Sequence, residues 1–129
     1  MQSSKLETNQ KTTNSQTKRY DLEERTQKFA KSIRNFVVQL PLNLVSKENI
    51  RQIVRSSGSI GANYLEANES LSKKDFLMRI KISKKETRET VYWLELLEIP
   101  SALQNEHQTL LKEANEIMNI LGAILRNSS

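Results

Sequence analysis

Residues 72–100, SKKDFLMRIKISKKETRETVYWLELLEIP, decide the fold class of this chain. Apolar and small residues recur in this stretch every three or four positions, which is the period of one face of an α-helix. Ser72 and Asp75 resemble a capping box that would open the helix, and Pro100 would close it after about Glu98. The stretch therefore predicts one long amphipathic helix, with a core face made of Phe76, Ile80, Ser83, Thr87, Val91 and Leu94.

Two further helical patterns precede residue 72. The first helix is expected to begin near Asp21 and to end at Pro41, which lacks the backbone N–H that a helix interior needs. The second is expected to start after Ser46, and Gly58 and Gly61 would let a neighbouring helix approach closely. The predicted buried positions are Leu22, Phe29, Ile33, Phe36, Val37 and Leu40 in the first helix, and Ile50, Ile53, Val54, Ser57, Ile60, Gly61, Tyr64 and Leu65 in the second.

A fourth helix is expected after the connection around Pro100, because apolar residues cover a broad arc between Leu110 and Leu125. Four helices with short connections are best satisfied by an antiparallel, up-down-up-down four-helix bundle. We therefore expect an all-α domain over residues 20–129. Residues 1–19 are mostly Gln, Asn, Ser, Thr and Lys, which bury too little apolar surface to fold, so a disordered polar tail is expected there.

Composition narrows the classes of function. The chain has 129 residues, no cysteine and a formal net charge of +5. Without cysteine it forms neither a disulfide framework nor a thiolate metal site. The most apolar run is too short for a membrane span, and the first residues lack the apolar segment of a signal peptide. A cytoplasmic protein without membrane contact is expected, and the basic charge favours an anionic partner such as RNA or DNA.

A row of cations follows one face of the third helix, at spacings of three, four and seven residues. Such a basic ridge could contact successive phosphates of a nucleic acid. The alternative is a solvated face, because Glu86 and Glu89 lie nearby in sequence and charge runs are commonly surface features. The candidate nucleic-acid-binding residues are Lys74, Lys81, Lys84, Lys85 and Arg88.

A second apolar strip on the third helix is offset from its core face. A monomeric bundle needs only one apolar face on each helix, so a strip that contains tryptophan and is bordered by charges suggests contact with a second copy of the chain. The alternative is that Trp93 broadens the core. The candidate oligomer-interface residues are Met78, Ile82, Trp93 and Leu96.

The sequence does not favour an enzyme. Carboxylate-bridged metal sites in helical bundles pair glutamates with Glu-x-x-His motifs, and His107 is the only histidine. We expect His107 to be a solvated or helix-terminal residue, and Glu86 and Glu89 to form surface ion pairs with Lys85 and Arg88. No phosphate-binding glycine loop or catalytic triad pattern is present. The prediction is therefore no catalytic residue, no metal and no cofactor.

Four segments carry a resemblance to a known family. They are 55–69 (RSSGSIGANYLEANE), 72–76 (SKKDF), 85–90 (KETRET) and 92–97 (YWLELL). Together they resemble the signature of the four-helix-bundle proteins named after the intervening sequences of 23S ribosomal RNA genes. The commoner family form has Ile-Ala-Glu-Gly after the asparagine, and residues 64–67 read Tyr-Leu-Glu-Ala instead, as in a recognisable branch of the family.

The resemblance implies a bacterial protein that assembles into a ring, typically a pentamer, and has no established enzymatic activity. Related accessory variability proteins of diversity-generating retroelements are similar pentameric bundles that bind nucleic acid and a reverse transcriptase. Two functions follow as hypotheses: a homo-oligomeric accessory protein that binds nucleic acid, or a homo-oligomeric scaffold that binds another protein. The resemblance also implies a polar motif that packs helices or subunits through hydrogen bonds, formed by Arg55, Ser59, Asn63 and Glu66.

Overall fold

The computed structural model describes the backbone of residues 14–128 and the side chains of residues 21–128. This part of the chain contains four long helices and no strand, so the predicted all-α class is confirmed. A short 3-10 helix, Ser101–Leu103, precedes the last long helix. The four long helices are α1 (Asn14–Val37), α2 (Leu44–Asn68), α3 (Lys73–Leu96) and α4 (Gln104–Ser128).

Each helix packs antiparallel to the next, and α4 closes the bundle against α1. The antiparallel direction of the helices follows from residue pairs across each interface. From one pair to the next, the residue number rises on one helix and falls on the other. The predicted up-down-up-down bundle is therefore confirmed. Between α1 and α2 the pairs are Glu23 with Asn68 and Thr26 with Gly61, and between α2 and α3 they are Ser56 with Thr90 and Asn63 with Arg79. Between α3 and α4 they are Lys84 with Gly122 and Leu94 with His107. Arg25 of α1 pairs with Glu113 of α4, and Gln39, in the turn after α1, pairs with Glu106 of α4.

The core agrees closely with the predicted helix faces. All six buried positions predicted for the first helix are buried, although α1 ends at Val37 and not at Pro41, so Leu40 lies in the turn that follows it. On α3, four of the six are buried, while Phe76 and Val91 pack against the core from partly buried positions. Leu65 is different, since half of it is exposed. It lies at the outer edge of α2, where it lines a shallow cleft against α1 instead of entering the core.

The first helix starts earlier than expected. It begins at Asn14 and not near Asp21, so residues 14–19 are helical although they were predicted to belong to the disordered tail. These residues contain no glycine or proline, and adding a residue to an existing helix costs much less than starting one. The remainder of the predicted tail, residues 1–13, lies outside the described residues.

Capping side chains fix the starts of α2 and α3. The second helix begins at Leu44 and not after Ser46, because Asn43 is its N-cap. Asn43 Oδ1 accepts from the Ser46 amide at 2.9 Å, and Ser46 Oγ accepts from the Asn43 amide at 2.9 Å, which forms a reciprocal capping box. Ser72 is the N-cap of α3 and accepts from the Asp75 amide at 3.1 Å, as predicted.

None of the helices over residues 14–128 is long and apolar enough to cross a membrane.

Candidate functional site

The basic ridge of α3 borders a groove between α3 and α4. Its five cations, Lys74, Lys81, Lys84, Lys85 and Arg88, are all exposed. The last four line the groove, which has a volume of about 740 Å³. Lys74 lies outside the groove, about two helical turns before Lys81. The structure therefore brings four of the five predicted residues together in one concave surface.

The opposite wall of the groove comes from α4, which the sequence analysis did not assign to a site. Arg126 adds a fifth cation to the groove, and Gly122 of the same helix lies against Lys84 of α3. Met118, Asn119 and Leu125 complete the α4 side. A glycine within the apolar arc of the fourth helix was a signal that could have drawn attention to this position, because glycine disfavours a helix interior.

The groove has an uncompensated positive charge. Among the described residues that line it there is no Asp or Glu. None of its five cations forms an ion pair with any residue whose side chain the structure describes. Cations that have no nearby carboxylate are available to an external anion, and a concave wall with a single sign of charge concentrates the electrostatic field.

The two glutamates nearest to the ridge in sequence face α2 instead. Arg55 Nη1 lies 3.2 Å from Glu86 Oε1, and Arg55 Nη2 lies 2.9 Å from Glu89 Oε1. The prediction that these glutamates pair with Lys85 and Arg88 is therefore wrong. Residues 86 and 89 point to the α2 side of the helix, whereas residues 85 and 88 point away from it. The pairing with Arg55 leaves the ridge without its own counter-ions.

The polar motif of α2 lies mainly along its interface with α3. Besides the Arg55 ion pairs, Arg79 Nη1 donates to Asn63 Oδ1 at 3.0 Å. Asn63 Nδ2 also donates to the Ser59 carbonyl at 2.9 Å. Glu66 is exposed, and its carbonyl accepts from Ser70 Oγ. Arg55 and Asn63 thus connect two helices within one subunit.

The second apolar strip is exposed at its two ends. Met78 and Leu96 are each 48% exposed, and Ile82 between them is partly buried. Trp93 is partly buried against the core, and its ring meets that of Tyr92 edge to face with centroids 5.1 Å apart. The strip therefore has accessible apolar surface near both ends of α3.

A further apolar cluster was missed in the sequence. It lies at the connection between α1 and α2, where four aliphatic residues are 70% exposed or more. Their sequence pattern gave no sign of this, because a run of aliphatic residues next to a helix more commonly indicates core. The cluster consists of Val38, Leu42, Leu44 and Val45.

His107 was expected to be either solvated or at the end of a helix. It lies in the first turn of α4, and it is buried and not solvated. The imidazole Nε2 is 2.9 Å from the Leu94 carbonyl, and Nδ1 is buried without a hydrogen-bond partner. Within the described residues, no group of three or more His, Asp or Glu side chains is placed to hold a metal ion. The position of His107 fits a role in closing α4 onto α3.

The fold and groove define a class: an antiparallel four-helix bundle with a basic inter-helix groove. The comparison with family models then identifies the family. Residues 7–123 match the model of the 23S rRNA-intervening sequence protein, and the chain belongs to that family.

A solved structure from Bacteroides thetaiotaomicron VPI-5482, described as a protein with unknown function from the S23 ribosomal protein family, is similar to this chain. The two sequences are 33% identical, the match covers 81% of this chain and 97% of that chain, and the TM-score is 0.70. No curated protein sequence matches this chain. The resemblance found from residues 55–97 is therefore confirmed.

Proposed function

We propose that this protein is a non-enzymatic homo-oligomer that binds the phosphate backbone of nucleic acid in the groove between α3 and α4. The observation that carries the proposal is the set of five groove cations that have no carboxylate partner. A protein that neutralises phosphates with Lys and Arg releases condensed counterions, and this release supplies most of sequence-independent affinity. Because the groove presents long flexible cations and few hydrogen-bonding groups of other kinds, binding is expected to be weakly selective for sequence.

The descriptions of related proteins support this proposal. The description of the family names the intervening sequence of 23S rRNA, and the description of the similar solved structure names the S23 ribosomal protein family. One description thus names ribosomal RNA, and the other names a ribosomal protein family. They favour RNA as the first probe, with DNA as the comparison.

Assembly of several copies would strengthen binding. A ring, typically a pentamer in the family that the sequence resembles, would present one groove per subunit to the same polyanion. Linked sites bind a shared partner with an avidity that can exceed the affinity of one site by orders of magnitude. The apolar strip on α3 is the proposed contact between copies.

A homo-oligomeric scaffold for a protein partner is the second candidate function. It is favoured by the exposed apolar cluster of Val38, Leu42, Leu44 and Val45, since several exposed aliphatic side chains close together in sequence are typical of contact surfaces. On that hypothesis the groove is only solvated. The two candidates differ in whether the protein binds nucleic acid at low salt.

The test is a titration of labelled RNA and DNA with the purified protein at two salt concentrations. Wild-type protein is expected to bind both, with an affinity that falls as salt rises. Lys81→Glu combined with Lys85→Glu should weaken binding more than about tenfold. It should also reduce the salt slope by about two, because each substitution leaves one phosphate without its lysine. No binding by wild-type protein at low salt would eliminate this function and leave the scaffold.

The matched control is Lys47→Glu combined with Lys112→Glu. Both lysines are exposed and outside the groove, and the double change alters the net charge by the same amount. If the control weakens binding as much as the groove variant, the effect reports net charge and not a groove. Circular dichroism of each variant should show wild-type helicity, because exposed substitutions normally change stability by about 0.5 kcal/mol or less.

A further inference from the structure

Gly122 occupies a position in α4 where packing does not require a glycine. A Cβ built there would be 3.4 Å from Arg126 Nη1, 3.7 Å from Lys84 Cε and 3.9 Å from Lys84 Nζ. These are the flexible ends of two long side chains, which can move aside. At Gly61, by contrast, a Cβ would be 2.8 Å from Thr26 Oγ1 on the buried face of α1. Since glycine weakens a helix interior, its presence at position 122 needs a reason other than helix packing.

Two cations from different helices converge on this glycine. Lys84 reaches it from α3, and Arg126 reaches it from the following turn of α4. Neither forms an ion pair with a residue that the structure describes, so two like charges approach the same point without a counter-ion. Both side chains are exposed, so water weakens their mutual repulsion, and an anion between them would remove it.

We propose that Gly122, Lys84 and Arg126 form a subsite for one phosphodiester group within the groove. The inference rests on the proposed function and deepens it, because it selects one phosphate position among the contacts that the groove can make. Gly122 supplies space, since it is buried beneath the ends of Lys84 and Arg126 and its missing side chain lets both approach the backbone of α4. Arg126 supplies a planar donor pair and Lys84 a point charge, a combination suited to a phosphate oxygen pair.

Blocking the space without changing charge tests the role of the glycine. Gly122→Gln places an uncharged side chain over the subsite and keeps a residue that favours helix. It should weaken binding of a short labelled RNA about tenfold at low salt. The matched control is Gly58→Gln, at a glycine of α2 that lines the cleft toward α1. A Cβ built at Gly58 would be 3.5 Å from Arg34 Nη2, the end of a flexible side chain. The control should bind RNA like the wild type.

Removing the two cations tests the charge. Lys84→Gln combined with Arg126→Gln should weaken RNA binding at least tenfold more than Lys47→Gln combined with Lys112→Gln, which removes the same charge outside the groove. Gly122→Ala guards against misfolding, because alanine favours helix and the 3.4 Å contact is with a movable guanidinium. It should unfold at a temperature equal to or above that of the wild type and still bind RNA more weakly.

Inorganic phosphate distinguishes a phosphate subsite from a general charge effect. At matched ionic strength, phosphate buffer should displace RNA from the wild type more than chloride does, and Gly122→Gln should remove this difference. The subsite is overturned if Gly122→Gln and the Lys84 and Arg126 pair bind RNA no more weakly than their controls. In that case the proposed function still stands when Lys81→Glu with Lys85→Glu weakens binding. If the wild type binds no RNA at low salt, both fail together.

Discussion

Gly61 is the residue at which the packing of α1 on α2 is most sensitive to one added carbon. A Cβ there would lie 2.8 Å from Thr26 Oγ1 and 3.3 Å from Thr26 Cβ, and Thr26 is buried. Overpacking of a core commonly costs about 1–3 kcal/mol, while glycine to alanine in a helix gains about 1 kcal/mol. Gly61→Ala should therefore lower the free energy of unfolding by about 1 kcal/mol, measured by urea unfolding at fixed protein concentration.

Gly58, three residues earlier on α2, provides the control for the Gly61→Ala prediction. Within the described part of the chain, its added Cβ would meet one atom, Arg34 Nη2 at 3.5 Å, so the gain in helix propensity is not opposed. Gly58→Ala should raise the free energy of unfolding by about 0.5–1 kcal/mol. Equal effects at positions 58 and 61 would contradict the assignment of close packing to Gly61. The sequence predicted close approach at both glycines, and the structure shows it at only one.

At the scale of the helices, an ion-pair cluster connects α1 to α4. Arg25 Nε lies 2.7 Å from Glu113 Oε2, Nη2 lies 2.8 Å from Glu113 Oε1, and Nη2 also lies 2.7 Å from Glu116 Oε1. The hydrogen bonds to Glu113 are the largest cause that raises the pKa of Arg25 above its usual value, so the guanidinium stays charged. Because the pKa of Arg25 is raised, the ion pairs stabilise the fold below the normal arginine pKa as long as Glu113 and Glu116 are ionised, and this stabilisation is lost only as the pH rises above that value.

Arg25→Lys should lower the free energy of unfolding by about 1 kcal/mol, because an ammonium cannot make the paired contact of a guanidinium. The expected loss of stability is small because the side chains of Arg25 and Glu113 are about 30% exposed, and water screens the attraction between their charges. Thermal unfolding followed by circular dichroism measures it. Arg34→Lys is the control, because among the residues whose side chains are described Arg34 donates only to the Ala30 carbonyl of its own helix. A loss at position 34 equal to that at position 25 would refute the bridging role.

The helices and the basic ridge could be predicted because each depends on one stretch of sequence. The period of apolar residues identified the four helices, and the spacing of Lys81, Lys84, Lys85 and Arg88 placed them on one face. The other wall of the groove could not be predicted, because Arg126 joins the site only through the side on which α4 packs against α3. The direction of Glu86 and Glu89 toward Arg55 likewise depends on where α2 lies. Sequence spacing gives a helix face, whereas a groove requires the relative rotation of two helices.

At the scale of the whole molecule, the charged and apolar surfaces are neighbours on α3. The groove cations face α4, and the strip lies beside them, because Lys85 follows Met78 by seven residues, or nearly two whole turns. Contact between copies through the strip would therefore bring the groove cations of each copy close to the interface. The proposed assembly and the proposed nucleic-acid binding are thus expected to influence each other.

The assembly predicts a mass larger than one subunit in size-exclusion chromatography with light scattering at micromolar concentration. Met78→Ser combined with Leu96→Ser should reduce the assembled fraction without loss of helicity, because both side chains are about half exposed and neither belongs to the core. Trp93→Ala should reduce it further, since buried aromatic residues commonly contribute about 2 kcal/mol or more to association.

Leu71→Ser is the control for the assembly variants, because Leu71 is fully exposed in the connection between α2 and α3. A monomeric wild type would refute self-association, and loss of helicity in Trp93→Ala would assign that residue to the core of the bundle.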